Sequence, residues 1–353
     1  MKIIADPNIP FIREAFGGLG EVVLIPGRQI AAAAVREADA LLVRSVTPVN
    51  EALLAGSAVK FVATATIGTD HVDERYLALR GIGFASAAGS NANSVAEYVV
   101  AALLELAHRG KYRLRDKTLG VVGVGNVGSK VVRYAQALGM RVLRNDPPLG
   151  ILEPALEADI VTAHVPLLET TRHMFHHDNL ERFTLLNTSR GPVVDNKALL
   201  KAIDGDRIPA AVLDVWEGEP NISPELLDIV DLGTPHIAGY SFDGKVAGTR
   251  MIYEALCRRF QLPATWQPSL PSGIQIEMSI SSGEDDEDVL RKLIRRNYDI
   301  VADDASLRRD VRAFDRLRAE YPVRREFHNT RLTLRGASET LLAKVRALGF
   351  QVS

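Results

Sequence analysis

The chain has 353 residues, 46% of them hydrophobic and 24% charged, which is typical of a globular protein with roughly two or three domains. A formal net charge of −2 excludes a global positive field for nucleic acid, so an anionic substrate would require a local arginine cluster. The single cysteine, Cys257, excludes an intrachain disulfide and a multi-cysteine zinc site, and its apolar neighbours indicate a core residue.

The chain carries no segment that predicts a membrane partner. The amino-terminal residues lack the long apolar region of a secretory signal. The longest apolar stretch, 95–107, contains Glu97 and Glu105 and is too short to span a bilayer. We therefore expect a soluble, cytoplasmic protein.

Residues 2–90 alternate short β-rich runs with helical runs, a pattern that predicts a parallel α/β sheet. A long helix is predicted over 93–108, with Asn93 or Ser94 as its N-cap. The predicted strands of this first set are Ile3–Ala5, Val22–Ile25, Ala40–Arg44, Phe61–Thr66 and Gly83–Ala85.

A second α/β set begins at Thr118 and ends in a helix over about 241–261. Its predicted strands are Thr118–Val122, Arg141–Asn145, Asp159–His164, Thr184–Thr188, Ala211–Val215 and Val230–Gly233. The proline-rich stretch 261–272 predicts a linker. The tail beyond it, 273–353, is predicted to contain strands Ile274–Ile280 and Arg331–Leu334 and helices over 288–297 and Ser338–Leu348.

Three charged segments have ordinary explanations that we prefer. The acidic run 284–288 favours a helix start over a metal site, because acidic side chains complement the positive end of a helix. The arginine-rich stretch 291–335 interleaves acids and apolar residues, which favours solvated faces or subunit contacts over nucleic-acid binding. The histidines of "HMFHHD", 173–178, lie at a predicted helix start, and we predict no metal there.

The stretch "TLGVVGVGNVGSKVV", 118–132, contains the G-x-G-x-x-G pattern Gly123, Gly125 and Gly128, with Asn126 and Val127 between the last two glycines. It follows an apolar strand and opens a helix, which is the context that a dinucleotide-binding motif requires. The next strand ends at Asp146, where a carboxylate would bind the ribose hydroxyls and repel a 2′-phosphate. The pattern predicts NAD rather than NADP.

Three polar segments follow strands of the same set: Arg190 in "NTSRGPVV", Glu217 and Glu219 in "VLDVWEGEPN", and His236 in "TPHIAGYS". Ligands of doubly wound sheets bind outside the carboxyl ends of the strands, so these groups can face the nicotinamide. Oxidation of a 2-hydroxy acid needs a base such as His236, a carboxylate partner such as Glu219, and an arginine such as Arg190 to bind the substrate carboxylate.

These motifs, together with "IGTDHVD" (67–73) and "GSNANSVAEYV" (89–99), resemble the D-isomer-specific 2-hydroxyacid dehydrogenase family over nearly the whole chain. The resemblance implies two doubly wound, Rossmann-like parallel-sheet domains with a cleft between them, and a smaller α+β C-terminal domain that forms a homodimer. It implies a substrate-binding domain over 1–93 that is completed by the helix at about 241–262. It also implies an NAD-binding domain over 94–240 and a dimerisation domain over 273–353.

The resemblance also assigns roles to individual residues. It implies Arg190 and Glu219 as catalytic residues and His236 as the acid/base. It places Asp146, Val165, Thr188, Ser189, Arg190, Asp214 and Gly239, with the glycine-rich loop, around NAD, and Arg44, Ser45, Thr66, Arg190 and Tyr240 on a phosphorylated four-carbon 2-hydroxy acid.

Two connections depart from the family pattern. The predicted helix 178–183 runs into the next strand with no turn residues, and the stretch 145–161 is short for a strand, a helix and a strand. Distorted loops are expected there, and Val165 stands where the family often has a hydroxyl residue. Two alternative functions stay open: another 2-hydroxyacid dehydrogenase, such as one for 3-phosphoglycerate, and an NAD-gated scaffold protein.

Overall fold

A computed structural model describes all residues from 1 to 353. The chain forms two compact units, one made of 1–91 with 242–272 and the other of 92–241 with 273–353. Strands and helices are numbered below along the whole chain. No helix is both long enough and apolar enough to cross a membrane.

The first unit contains a five-stranded parallel sheet in the order β2-β1-β3-β4-β5. Its central strands are buried on both faces, as expected when helices cover a parallel sheet. The strands are β1 (Lys2–Ala5), β2 (Glu21–Leu24), β3 (Ala40–Val43), β4 (Phe61–Thr64) and β5 (Gly83–Ser86). The helices are α1 (Ile12–Phe16), α2 (Ala32–Val35), α3 (Glu51–Leu54), α4 (Glu74–Leu79) and α9 (Phe242–Phe260).

Helix α9 returns to the first unit and completes its core. Ile252, Leu256 and Cys257 are buried in the same apolar cluster as Ile3 of β1, so Cys257 is the predicted core residue. The following stretch, 262–272, has no helix or strand, in agreement with the predicted linker.

The second unit contains a seven-stranded sheet in the order β12-β11-β10-β9-β6-β7-β8, parallel except for the short edge strand β8. This order confirms a Rossmann-like sheet. Its strands are β6 (Thr118–Val122), β7 (Arg141–Asp146), β8 (Ile151–Leu152), β9 (Ile160–Ala163), β10 (Thr184–Asn187), β11 (Ala211–Leu213) and β12 (Leu232–Gly233). The helices that accompany it are α5 (Ala92–Gly110), α6 (Gly128–Ala137), α7 (Asn196–Asp204) and α8 (Pro224–Ile229).

Helix α5 begins before the predicted cap. Because the helix starts at Ala92, both Asn93 and Ser94 lie inside its first turn, and the N-cap prediction was wrong. Ser94 is fully buried and its hydroxyl donates to the carbonyl of Ala238, 2.7 Å away. The Ser94 hydroxyl therefore makes a tertiary contact instead of the helix cap that the local sequence predicted.

The two short connections adopt compact, irregular paths. Between β7 and β9 the chain forms two 3-10 turns and β8, with no α-helix. The predicted helix 178–183 was wrong, because the segment forms turns that end at Arg182, whose φ is 71°. Asn179 holds this turn: its side chain donates to the carbonyl of Met174 (2.8 Å) and accepts from the His176 amide (2.9 Å).

The tail forms a three-stranded parallel sheet in the order β13-β14-β15 and packs within the second unit. Apolar side chains of the tail, including Leu293 and Phe327, share one core with Val99 and Leu103 of α5. The acidic run begins a helix, as predicted: the Asp285 side chain caps the amides of Glu287 and Asp288. The elements are β13 (Ile274–Ser279), α10 (Asp286–Asn297), α11 (Ile300–Arg309), α12 (Phe314–Ala319), β14 (Thr330–Arg335), α13 (Glu339–Ala347) and β15 (Gln351–Val352).

Candidate active site

The glycine-rich loop joins β6 to α6 in the way the motif predicts. Gly123 has a φ of 88°, a conformation that favours glycine. A Cβ on Gly128 would lie 1.9 Å from the carbonyl oxygen of Gly123, so only glycine permits the close start of α6. Both positions therefore require glycine for folding, whether or not a ligand binds.

Gly125 differs, because a Cβ there would meet no atom within 4 Å. Folding does not require glycine at this exposed position, whereas close approach of a pyrophosphate to the backbone does. Asn126 and Val127 complete the turn that leads into α6, and the open amino end of a helix suits a phosphate group. The loop therefore fits a dinucleotide.

Asp146 and Val165 border the same loop. Asp146 ends β7, and its Oδ2 accepts a hydrogen bond of 2.6 Å from the amide of Val124. A Cβ built on Gly123 would lie 3.0 Å from Cγ1 of Val165, so that apolar side chain stands beside the turn. The structure thus brings the predicted ribose acid and Val165 to the glycine-rich loop.

The turn after β10 carries Thr188, Ser189 and Arg190. Asn187 organises it, because its Oδ1 accepts from the Ser189 amide (3.0 Å) and hydroxyl (2.8 Å) while its Nδ2 donates to the Arg190 carbonyl (2.9 Å). The half-buried Arg190 guanidinium donates from Nη1 to the carbonyl of Ser189, 2.8 Å away. The turn therefore holds a cation at the carboxyl end of a central strand.

A close backbone contact explains why Gly191 follows Arg190. A Cβ there would lie 1.9 Å from the carbonyl oxygen of Trp216 and 2.7 Å from the amide nitrogen of Glu217. The backbone of the loop after β11 thus lies directly against the Arg190 turn. This close contact places Arg190 next to the loop that carries Glu219.

Glu219 and His236 form the central pair of the site. Nδ1 of His236 lies 2.7 Å from Oε2 of Glu219, and Oε1 of Glu219 accepts from the Trp216 amide at 2.9 Å. Burial acts to raise the pKa of Glu219, but hydrogen bonding and charge from His236, with the Trp216 amide, outweigh it and lower the pKa. Glu219 is therefore ionised at neutral pH and only accepts, so Nδ1 of His236 carries the proton between them.

Asp214 holds the backbone of the His236 loop. This buried carboxylate accepts from Thr234 Oγ1 (2.6 Å), Ile237 N (2.7 Å) and Ala238 N (2.9 Å). Burial raises its pKa, and the charge of His236 with these hydrogen bonds opposes the rise. His236 itself has a φ of 56°, so the loop keeps a non-glycine residue in the left-handed region.

Glu217 belongs to a second histidine–carboxylate pair. Its Oε1 lies 2.7 Å from Nε2 of His173, and its Oε2 accepts from the Asn196 amide at 3.0 Å. The sequence named both Glu217 and Glu219, and the structure separates them: Glu219 pairs with His236, and Glu217 pairs with His173.

His164 was missed by the sequence analysis. It follows β9, and its ring lies 3.2 Å from Thr188 Oγ1 and 3.0 Å from Thr162 Oγ1. Dense packing around the ring lowers its pKa to about 3, although the residue as a whole is only half-buried. A neutral imidazole therefore orients the Thr188 hydroxyl, and the position of His164 at the carboxyl end of a predicted strand was the pattern that could have revealed it.

Tyr240 and Gly239 close the His236 loop. The Tyr240 amide donates to the Ile237 carbonyl at 2.9 Å, and its ring packs edge-on against Tyr321 with centroids 6.0 Å apart. Gly239 is half-buried between Ala238 and Tyr240. The loop therefore carries a predicted NAD contact and a predicted substrate contact in consecutive residues.

The predicted substrate residues of the first unit lie at the carboxyl ends of adjacent strands. Arg44 and the exposed Ser45 follow β3, and Thr66 lies two residues after β4. Thr66 Oγ1 is 2.6 Å from Thr64 Oγ1 and donates to the Gly68 carbonyl at 3.2 Å. Hydroxyl groups and an arginine thus share one edge of the parallel sheet.

The histidine-rich segment does not form the predicted helix start. The ligand atoms of His176, His177 and Asp178 lie within 4.8 Å of one another, and Asp178 is 3.5 Å and 3.1 Å from the two rings. Both His177 and Asp178 are exposed. Such groups of exposed side chains are common in proteins whether or not an ion binds.

Comparison with known proteins agrees with this geometry. Residues 89–238 match the family described as "D-isomer specific 2-hydroxyacid dehydrogenase, NAD binding domain", and residues 270–349 match a domain of unknown function, DUF3410. The chain is 44% identical to the erythronate-4-phosphate dehydrogenase of Marinobacter nauticus, with 100% of both chains covered. It is 47% identical to the enzyme of that name from Salinibacter ruber, with 92% of each covered.

Among solved structures, the D-lactate dehydrogenase of Aquifex aeolicus in complex with NAD and lactic acid is 25% identical, with a TM-score of 0.62. The match covers 74% of this chain and 96% of that one. The alignment with the Marinobacter protein extends over 382 positions, whereas this chain has 353 residues, so at least 29 aligned positions have no residue here. That difference agrees with connections shorter than the family pattern.

Proposed function

Because the chain belongs to the erythronate-4-phosphate dehydrogenases of the D-isomer-specific 2-hydroxyacid dehydrogenase family, we propose that Arg190, Glu219 and His236 are its catalytic residues. The protein is an NAD-dependent oxidoreductase acting on a CH–OH group. It oxidises the C2 hydroxyl of 4-phospho-D-erythronate to (R)-3-hydroxy-2-oxo-4-phosphooxybutanoate, a step of pyridoxal 5′-phosphate biosynthesis.

The observation that carries the catalytic assignment is the 2.7 Å contact between Glu219 and Nδ1 of His236. Since Nδ1 carries the shared proton, Nε2 is the nitrogen left to accept the proton of the C2 hydroxyl. The C2 hydride leaves as that proton is taken, and C2 becomes a carbonyl carbon. NAD, when bound, supplies the acceptor for the hydride. In the reverse direction the protonated His236 returns its proton to the carbonyl oxygen, while Glu219 stabilises the charged ring.

Arg190 binds the substrate carboxylate in this proposal. A guanidinium can bind a carboxylate through two parallel hydrogen bonds, and that geometry fixes C2 relative to the base. We assign Tyr240 of the His236 loop, and Arg44, Ser45 and Thr66 of the first unit, to substrate binding. Hydroxyl groups beside an arginine suit the phosphate of a phosphorylated acid.

The proposed NAD contacts surround the carboxyl end of the second sheet. Asp146 binds the ribose hydroxyls and selects NAD over NADP by charge repulsion. The remaining proposed contacts are Gly123, Gly125, Asn126, Val127, Gly128, Val165, Thr188, Ser189, Arg190, Asp214 and Gly239. We retain the three proposed domains, 1–93 with the helix at about 241–262, 94–240 and 273–353.

We further propose that the chain forms a homodimer through its tail and acts in the cytoplasm. β13 pairs only with β14 in its sheet, so one of its edges remains available to a partner. The one cysteine is buried and free, which suits a reducing compartment. Light scattering of the purified protein tests the dimer, and cell fractionation tests the location.

A substrate panel tests the activity, with NADH followed by absorbance. 4-Phospho-D-erythronate is compared with 3-phosphoglycerate and D-lactate, and a 2-oxo acid is added in a second set in case reduced cofactor stays bound. Preference for the four-carbon phosphate supports the proposal, whereas faster turnover of 3-phosphoglycerate or lactate overturns the substrate. NAD binding without turnover of any acid would favour a scaffold protein. Arg190→Ala should abolish most turnover, and a normal rate would refute the site.

A further inference from the structure

The loop 236–241, here called the His236 loop, is held from two opposite sides. On one side Asp214 accepts the amides of Ile237 and Ala238. On the other side the carbonyl oxygen of Ala238 points to the tail. An anionic group therefore accepts from the N–H of Ala238, while a cationic donor and a hydroxyl donate to the C=O of the same residue.

The tail side of this arrangement is built around Arg324. Its Nη2 donates to the Ala238 carbonyl at 2.6 Å and also contacts the hydroxyl of Ser94. Ser94 Oγ donates to the same carbonyl at 2.7 Å and accepts from the Ser241 amide at 3.1 Å. Two residues on, Glu326 accepts from the Ser241 hydroxyl at 2.7 Å. The tail thus binds both the middle and the end of the His236 loop.

Packing alone does not account for Arg324. The side chain is 5% exposed and stacks on the Tyr298 ring, with Cζ 4.2 Å from the ring centroid. Its Nε and Nη1 have no protein hydrogen-bond partner, so its hydrogen bonds are concentrated on Ser94 and Ala238. A hydrophobic side chain of similar size would join the tail to the sheet without the cost of burying a charge. What the arginine adds is a strong donor for the Ala238 carbonyl.

We propose that Arg324, bridged by Ser94, is a positioning residue that fixes the His236 loop for catalysis, so that the tail serves the active site as well as any subunit contact. The backbone of His236 lies in the left-handed region, and such a conformation persists only where its surroundings over-determine it. Loss of the Arg324 contact leaves the Ala238 carbonyl with the Ser94 hydroxyl as its donor, which loosens the loop and lets His236 leave its alignment with Glu219. This inference rests on the proposed role of His236.

The test compares Arg324→Met with Arg324→Lys, which keeps a charged donor, and with Arg308→Met as a matched control. Arg308 is another tail arginine that donates to second-unit carbonyls, reaching Val230 at 2.8 Å and Leu227, but it does not contact the His236 loop. We expect Arg324→Met to lower kcat at least tenfold with a smaller change in KM for the acid, Arg324→Lys to recover much of that loss, and Arg308→Met to keep the wild-type kcat.

Thermal unfolding of each variant separates positioning from stability. If Arg324→Met and Arg308→Met lose the same thermal stability and have kcat values within twofold of each other, the inference is overturned. If Arg324→Met does not fold, Ser94→Ala decides, because it removes the bridging hydroxyl and should lower kcat in the same direction. A wild-type protein that does not oxidise 4-phospho-D-erythronate refutes the proposed function instead. In that case the NAD affinities of wild type and Arg324→Met are compared, because Gly239 of the same loop is a proposed NAD contact. Weaker NAD binding by Arg324→Met supports the positioning role, and equal affinity overturns it.

Discussion

Replacing Glu219 by glutamine exchanges one carboxylate oxygen for an NH2 group and tests where the proton of His236 lies. The carboxylate accepts two hydrogen bonds, from the Trp216 amide at 2.9 Å and from Nδ1 of His236 at 2.7 Å. A glutamine has one carbonyl oxygen and one donating NH2 group, so it cannot accept both. If its oxygen keeps the Trp216 amide, its NH2 faces Nδ1 and moves the ring proton to Nε2, where it blocks acceptance of the substrate proton.

The size of the effect follows from the bond that is lost. A hydrogen bond to a charged group contributes about 1.5–3 kcal/mol, which corresponds to roughly 10- to 150-fold in kcat. The loss should be larger for reduction of the 2-oxo acid, because only that direction starts from a protonated ring that Glu219 stabilises. The pKa of Glu219 is lowered from 4.5, so its pair with His236 stabilises the fold above that pH and the contribution is lost as the pH falls below it. The kinetics should therefore be measured near neutral pH, where this pair is intact.

The assay measures NADH formation with 4-phospho-D-erythronate, and its reverse with the 2-oxo acid, for Glu219→Gln and Glu217→Gln. Glu217 is a close control, because it makes a histidine–carboxylate contact of the same 2.7 Å length in the same loop but pairs with His173. We expect the Glu217 variant to keep kcat within about threefold of wild type, a difference of under ~1 kcal/mol. Equal losses in both variants would show that loop integrity, rather than the proton on His236, limits the rate.

Three further predictions concern the cofactor loop and the tail. Gly125→Ala should keep the thermal stability and weaken NAD binding, whereas Gly128→Ala should lose stability, because only its Cβ would meet backbone, at 1.9 Å; calorimetry of both variants with and without NAD distinguishes them. Asp146→Ala should reduce the preference for NAD over NADP, measured as the ratio of kcat/KM for the two cofactors, and an unchanged ratio would remove Asp146 from the ribose site. Asp303 lies in α11 and accepts from the Tyr321 hydroxyl at 2.8 Å. Burial raises its pKa from 3.8 to about 6, so the free energy of unfolding should fall as the pH rises from about 4 to about 6, and Asp303→Asn should abolish that part of the slope in denaturant titrations.

The sequence predicted the parts of the fold that local physics determines. The parallel strands of the two large sheets were placed to within one or two residues, because parallel strands buried on both faces form continuous apolar runs, whereas the short antiparallel strand β8 was not predicted. The glycine-rich turn was equally readable, since Gly123 and Gly128 are required by backbone geometry alone. Polar residues in the loops that follow strands also gave Arg190, Glu219 and His236 as candidates.

Contacts between residues far apart in the sequence could not be predicted from local sequence patterns. Serine is a common N-cap residue, yet the Ser94 hydroxyl donates to the carbonyl of Ala238, which is 144 residues away in the sequence. Glu219 was expected to pair with His236, but nothing in "VWEGEPN" predicts that Glu217 pairs with His173 or that Glu219 also accepts from the Trp216 amide. Arg324 was one of many arginines in the tail, and only the fold shows which of them is buried against the His236 loop. Such contacts join residues that are far apart in the sequence, so they depend on the tertiary fold and not on local spacing.

The most direct test of the central claim uses 4-phospho-D-erythronate carrying deuterium at C2. The proposed reaction transfers that atom as hydride while His236 takes the hydroxyl proton. We predict one deuterium in each molecule of reduced cofactor, detected by mass spectrometry, together with an equal amount of the 2-oxo acid. Reduced cofactor without deuterium, or no reduction of NAD by this acid while another hydroxy acid is oxidised, would contradict the assignment.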